Sequence, residues 1–131
     1  MNRALLILLL LLLLSAGCGG SSGSSAVTGL HITVWPQGKS GPKITYTLNC
    51  PRGTGTLPQA RAACSKLQRI EASAFAPVPI GTACTEIYGG PQVARVNGRL
   101  AGRPLSADFE RTNGCEIARW EQLAFLFPFT S

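Results

Sequence analysis

The sequence predicts an antiparallel α+β domain, and three observations carry that prediction. Apolar residues alternate with polar ones in two separate stretches, they switch to helical spacing in a third, and four cysteines are spread through the chain beyond its N-terminal segment. Setting that segment aside leaves roughly 100 residues for one core. A domain of this size buries only about 60 to 70% of the surface its unfolded chain exposes, so covalent cross-links would contribute a useful share of its stability.

The elements follow in order. Leu30, Ile32 and Val34 alternate with His31, Thr33 and Trp35, the period-two pattern of a strand with one buried face, and Pro36-Gln37-Gly38 ends it. The pattern returns at Ile44, Tyr46, Leu48 and Cys50 against Thr45, Thr47 and Asn49, and Pro51 to Gly55 reads as a loop. From Leu57 to Ile70 the spacing of Ala60, Ala63, Cys64, Leu67 and Ile70 is helical, with Pro58 tolerated in the first turn and Cys64 on the inward face. Phe75 to Gly90 holds Pro77, Pro79, Gly81, Gly89 and Gly90 without any sustained period. It is a long loop, and Cys84 in its middle argues that it is held. Asn97-Gly98, flanked by Val93 to Val96 and by Leu100 onward, has the composition of a hairpin turn. Cys115 to Leu123 reads as a short helix and Ala124 to Phe129 as a closing apolar strand. The order is strand, strand, helix, loop, hairpin, helix, strand.

Ahead of this body, Asn2 and Arg3 form a thin positive start, Ala4 to Leu14 is an unbroken apolar run, and Ser15-Ala16-Gly17 places small residues before Cys18. This is the three-part plan of a signal peptide. The run falls short of the roughly 20 residues that a membrane-spanning helix needs. Ser-Ala-Gly-Cys resembles a lipobox, in which the cysteine thiol receives a diacylglyceryl group and becomes the mature N-terminus, although leucine is usual where Ser15 stands. The alternative is ordinary secretion with cleavage near Ala16 or Gly17. Residues 1–17 are therefore expected to be a lipoprotein signal, residues 18–29 a Gly/Ser-rich flexible tether, and residues 30–131 the folded domain. The expected location is the extracellular face of a bacterial cytoplasmic membrane, through lipidated Cys18, or the medium if the chain is simply secreted.

Of the five cysteines, Cys18 belongs to the export segment, which leaves Cys50, Cys64, Cys84 and Cys115 in the body. An even number of well-spaced cysteines with no CxxC pair in an exported chain points to two disulfides, whereas zinc would need closer ligand spacing. The formal charge of +6 is scattered over Arg52, Arg61, Lys66, Arg69, Arg95, Arg99, Arg103, Arg111 and Arg119 rather than gathered in a dense run, so no nucleic-acid partner is expected. His31, the single histidine, has no Ser/Asp partner pattern, and no catalytic triad assembles. Glu116 and Glu121, with Arg119 between them, read as a solvated helix face, and Trp35 and Trp120 as packing or interface residues. No enzyme activity, cofactor or metal is expected.

The Ile-Thr-Tyr-Thr-Leu-Asn-Cys stretch ending at Cys50, Pro58 ahead of Ala-Ala-Cys64, Cys84-Thr85 with Tyr88, Val96-Asn97-Gly98, and Asn113-Gly114-Cys115 with the closing Phe-rich segment together resemble the subtilisin inhibitor-like family of serine protease inhibitors from Streptomyces. The resemblance spans roughly Leu30 to Phe129. It implies a five-stranded antiparallel sheet with two helices, disulfides Cys50 to Cys64 and Cys84 to Cys115, frequent homodimerisation, and inhibition of serine endopeptidases. It places a scissile bond between Glu86 and Ile87, with Ala83, Cys84, Thr85 and Tyr88 as reactive-loop contacts and Asn113 bracing the loop from behind.

Glu86 departs from the family pattern, in which Met, Leu, Lys or Arg is usual at that position. Burying an unpaired carboxylate costs several kcal/mol, and an acidic trypsin-type pocket would repel it as well. Two functions follow: inhibition of a protease that accepts acidic residues, either subtilisin-like with a shallow pocket or chymotrypsin-like with acidic specificity, or a non-inhibitory binding or structural role on the envelope.

Overall fold

The computed structural model describes residues 26–129. The expected signal segment, Cys18 and most of the expected tether lie outside the described residues. Strand β1 (Thr28–Trp35) already includes the last two tether positions, and Thr28 is buried.

Four strands form one antiparallel sheet: β1, β2 (Ile44–Cys50), β3 (Val93–Leu100) and β4 (Arg103–Phe109), in the spatial order β2-β1-β3-β4. The period-two pattern sets the register. Leu30, Ile32 and Val34 stand opposite Leu48, Tyr46 and Ile44 on one side and Gly98, Val96 and Ala94 on the other; Ala94 and Val96 then face Phe109 and Ala107. A one-residue slip would turn this whole apolar set to solvent, so the register is strongly specified. The opposite face carries His31 between Thr47 and Asn97, Thr33 between Thr45 and Arg95, and the Arg95–Asp108 ion pair at 2.7 Å.

Helices α1 (Ala60–Leu67) and α2 (Gly114–Leu123) cover the apolar face. The core joins Leu30, Ile32, Val34 and Leu48 from the sheet to Ala63, Cys64 and Leu67 of α1, Trp120 and Leu123 of α2, and Phe75, Leu126 and Phe127 from the connections. Phe109 packs against Phe75 and Phe127 with ring centroids 6.2 and 5.1 Å apart. Helix α1 starts only after Pro58, shorter than the expected Leu57 to Ile70 span, and a 3₁₀ turn (Ala72–Phe75) precedes the long loop. All these core residues, the sheet and both disulfides lie between Thr28 and Phe129, so that span carries its own core.

Two sequence expectations are corrected. The sheet has four strands, not five, because the closing segment does not pair: Ala124–Leu126 is a 3₁₀ turn. Leu126 and Phe127 are buried consecutively, which an alternating strand does not allow, and Pro128, without an N–H, accepts the Tyr46 hydroxyl on its carbonyl at 2.9 Å. The hairpin turn is not at Asn97-Gly98, which lies inside β3, but at Ala101-Gly102, where both residues have positive φ, 49° and 78°. Gly98 is needed for a different reason. Its φ is 135°, and a Cβ there would run into the Gly29 carbonyl of β1, so only glycine permits this close approach of two strands.

Candidate functional site

The segment from Ala76 to Gln92 has no regular secondary structure and contributes no buried residue. Pro79 to Thr82 is a tight turn in which the Thr82 N–H and hydroxyl both donate to the Pro79 carbonyl, at 3.2 and 2.7 Å, with Ile80 fully exposed at its tip. After that turn the loop is tied down. Cys84 is bridged to Cys115 in the first turn of α2, with a Cα–Cα distance of 5.4 Å.

Two backbone hydrogen bonds complete the attachment. The Gly114 N–H donates to the Thr85 carbonyl at 2.9 Å, and the Gly89 N–H donates to the Arg111 carbonyl at 2.7 Å. Glu86, Ile87 and Tyr88 bow outward between these fixed points and are all exposed, Ile87 by 59% and Tyr88 by 67%.

The supporting segment, Arg111 to Cys115, owes its rigidity to helix chemistry. The first N–H groups of a helix lack intrahelical partners. Asn113 is the N-cap of α2, its side-chain oxygen accepting from the Glu116 N–H at 3.0 Å, which leaves the Gly114 N–H free for Thr85. Gly114 approaches so closely that a Cβ on it would overlap the Thr85 hydroxyl. Arg111 is anchored in turn, its guanidinium 3.6 Å from Glu121 and 6.0 Å from the Trp120 ring. Behind it, Arg119 pairs with Glu116 at 2.6 Å, donates to the Asp108 carbonyl at 3.3 Å and stacks 4.7 Å from the Phe109 ring. The solvated face expected for this helix is therefore corrected at Glu116, whose side chain is only 15% exposed.

The arrangement holds a short peptide segment exposed and anchored on both sides. Among the described residues no group of three His, Cys, Asp or Glu side chains lies close enough to hold a metal ion, and His31 sits on the exposed polar face of the sheet.

Comparison with known proteins shows the family of the chain. Subtilisin inhibitor-like protein 2 of Streptomyces rochei is 39% identical over 90 residues, covering 67% of this chain and 77% of that protein. The chain belongs to the subtilisin inhibitor-like family. A second relative, the transglutaminase-activating metalloprotease inhibitor of Streptomyces mobaraensis, is 34% identical over 92 residues, 67% of this chain and 61% of that protein. Sermetstatin of Streptomyces caespitosus, solved in complex with Bacillus licheniformis subtilisin, shares the fold with a TM-score of 0.51 at 23% identity, over 79% of this chain and 99% of that one. No protein-family model matches the chain.

Of the residues singled out from the sequence, the structure gathers Ala83, Cys84, Thr85, Asn113 and Cys115 along one seam and leaves Glu86, Ile87 and Tyr88 projecting from it. Cys50 joins Cys64 at a Cα–Cα distance of 5.6 Å, stapling the end of β2 to α1. The hydrogen bond of the Asn113 side chain goes to its own helix, and the next residue, Gly114, reaches the loop. Sequence reasoning named Gly114, Gly89 and Arg111 but missed their part in holding the loop. A signal for the first was present: Asn113 followed three residues later by Glu116 is a helix-start pattern, and a helix start leaves free N–H donors.

Proposed function

We propose that this chain is an exported inhibitor of serine endopeptidases that presents the Glu86–Ile87 bond to its target as a substrate would, from a domain tethered through a lipid on Cys18. The observation that carries the proposal is the exposed bow from Glu86 to Tyr88, fixed by the Cys84–Cys115 bridge and by hydrogen bonds at Thr85 and Gly89. A protease takes an extended segment by strand-like backbone hydrogen bonds and one side chain in a specificity pocket. Because the segment is ordered before it binds, association escapes the entropy loss that a flexible peptide suffers.

In the bound state the enzyme's serine attacks the Glu86 carbonyl and the peptide bond to Ile87 opens, with the leaving amine taking a proton. The Thr85 carbonyl stays on Gly114 and the Gly89 N–H on Arg111, so that amine remains beside the acyl group and religation competes with hydrolysis. Cleavage is then slow and reversible. This activity makes the chain an inhibitor and not an enzyme, and the named activities of its relatives support it.

Glu86 selects the target, since its carboxylate suits a protease whose pocket offers cationic or hydrogen-bonding groups, or one shallow enough to leave it solvated. It is also the observation that favours the second reading, a non-inhibitory binding module on the same scaffold. Stoichiometric titration of a subtilisin, a trypsin and a glutamate-specific serine endopeptidase separates the two. The expected result is one-to-one loss of activity for at least one of them, with a single clip between Glu86 and Ile87 seen by mass spectrometry after long incubation. If all three stay fully active, and Glu86→Lys and Glu86→Met gain nothing, the inhibitor reading fails. A metalloprotease belongs in the same panel because of the name of the Streptomyces mobaraensis relative. Radiolabelled palmitate incorporation, lost in Cys18→Ala, tests the lipid tether separately.

A further inference from the structure

The arginines divide into two groups. Arg95, Arg111 and Arg119 pair with Asp108, Glu121 and Glu116 at 2.7, 3.6 and 2.6 Å. Arg52, Arg61, Arg69, Arg99 and Arg103 are exposed and, among the described residues, form no ion pair.

Topology brings four of these, Arg52, Arg61, Arg99 and Arg103, to one pole. Gly29, near the start of β1, stands opposite Arg99, and Arg103 faces Leu100 across the β3–β4 turn. Arg52 follows the end of β2, whose Cys50 faces Thr28, and Gly53 packs so tightly on Arg61 that a Cβ there would overlap it. At the same pole lies an open groove of about 780 Å³, lined by Pro51, Leu67, Ile70 and Leu100 and by the Cys50–Cys64 bridge, with Arg103 on its wall. Glu71 is the acidic residue at this margin, and its carboxylate accepts the Ser73 hydroxyl at 3.3 Å. Residues 1–25 join the domain here, at Ala26, which also lines the groove.

The reactive segment is at the other pole, beyond the far ends of β1 and β4. Eight residues of β1 separate the two poles, about 23 Å at ~3.3 Å per residue. That is more than two Debye lengths at physiological salt, where the Debye length is about 8 Å.

We propose that the pole formed by Arg52, Arg61, Arg99 and Arg103 is a docking surface for anionic phospholipid headgroups, which seats the domain on the bilayer with the Glu86 to Tyr88 bow pointing away from it. The proposal rests on the exported, membrane-tethered reading above. It commits to the bilayer because unpaired positive charge, an apolar groove with Arg103 on its wall, and the chain's entry from its N-terminal segment coincide at this pole. The geometry leaves the opposite pole free for a protease. Each arginine near an anionic surface strengthens partitioning by roughly fivefold at low ionic strength.

The test uses the chain from residue 18 onward with Cys18→Ser, so that no lipid contributes, and measures co-sedimentation with vesicles. Vesicles of phosphatidylglycerol and phosphatidylcholine are expected to bind it and vesicles of phosphatidylcholine alone are not. The triple variant Arg52→Gln, Arg61→Gln, Arg103→Gln should partition on the order of a hundredfold more weakly, while Arg95→Gln on the opposite sheet face should bind as the parent does. Matching thermal melts of the variants exclude unfolding as the cause. Equal binding to neutral and anionic vesicles, no binding to either, or tighter binding to soluble polyphosphate than to vesicles each overturns the proposal. Absence of palmitate labelling in the wild-type chain would sink the tether without touching this surface, so the two failures are distinguishable.

Discussion

Replacing Cys84 and Cys115 with serine removes the covalent link between the exposed bow and α2. The bridge closes a loop with a sequence separation of 31, for which the chain-entropy relation gives about 3.7 kcal/mol at 25 °C. The Cys50–Cys64 bridge, with a separation of 14, comes out at about 3.0 kcal/mol. Domains of this size are stable by only about 5 to 15 kcal/mol, so either double variant should still fold, with Tm lower on the order of 15 to 30 °C.

The two losses are similar in size and differ in place. No residue from 76 to 92 is buried, so losing the Cys84 bridge leaves the core intact. The bow is then held by the Gly114 to Thr85 and Gly89 to Arg111 hydrogen bonds, each worth about 1 kcal/mol net. Local opening becomes far easier than global unfolding. Limited proteolysis with a broad-specificity protease, read by mass spectrometry beside urea unfolding, should show Cys84→Ser/Cys115→Ser cut between Thr85 and Tyr88 while its core resists. Cys50→Ser/Cys64→Ser should fall in stability by a similar amount with its bow uncut. Identical cleavage patterns in the two variants, or a bow no more sensitive without its bridge, would refute the claim that this disulfide is what holds the segment.

Three further outcomes are expected. Ala101 occupies left-handed backbone at φ 49°, a conformation that disfavours alanine by about 1 kcal/mol and that asparagine tolerates, so Ala101→Asn should raise Tm by a few degrees in calorimetry; an unchanged or lower Tm counts against the turn assignment. Gly114→Ala should push Thr85 off its brace and weaken protease binding at least tenfold in a titration, and pairing it with Thr85→Gly should restore part of that loss; strict additivity of the two changes would refute the contact. The hydrogen bond and charge of Arg95 hold the Asp108 carboxyl below the usual carboxylate range, so this pair stabilises the fold above the unfolded carboxylate pKa of about 3.9 and the contribution is lost as pH falls through the lower folded value. The gap in urea midpoint between wild type and Asp108→Asn should therefore be present at about pH 7, absent at about pH 2, and reduced by salt; a gap independent of pH refutes it.

Much of this architecture is legible in the residues because it depends on short-range pattern. The alternation through Leu30, Ile32 and Val34 and through Tyr46 and Leu48 dictates which sheet face is buried, whatever packs on it. The helical spacing of Ala63, Cys64 and Leu67 likewise turns one cysteine inward, within reach of Cys50. Composition misleads where a residue type serves two purposes. Asn97-Gly98 has turn chemistry, yet Gly98 is there because a neighbouring strand passes too close for any side chain, and closeness between distant segments is invisible in local sequence. The closing segment has the apolar content of a strand, but Phe127 is claimed by Phe109 and Trp120, and that packing outweighs strand pairing.

The sequence by itself determined the class of fold, the inward faces, the even set of body cysteines and the stretch that projects as a loop. Tertiary structure alone decided how that loop is held. Its support comes from the segment that opens a helix 22 to 31 residues later in the chain, where Gly114, Arg111 and Cys115 matter only because the fold brings them against Thr85, Gly89 and Cys84 respectively. The same holds for charge. Among arginines that look scattered along the chain, Arg111 and Arg119 become paired behind the loop while Arg52, Arg61, Arg99 and Arg103 stay unpaired at the opposite pole, because ion pairing depends on distances that folding creates.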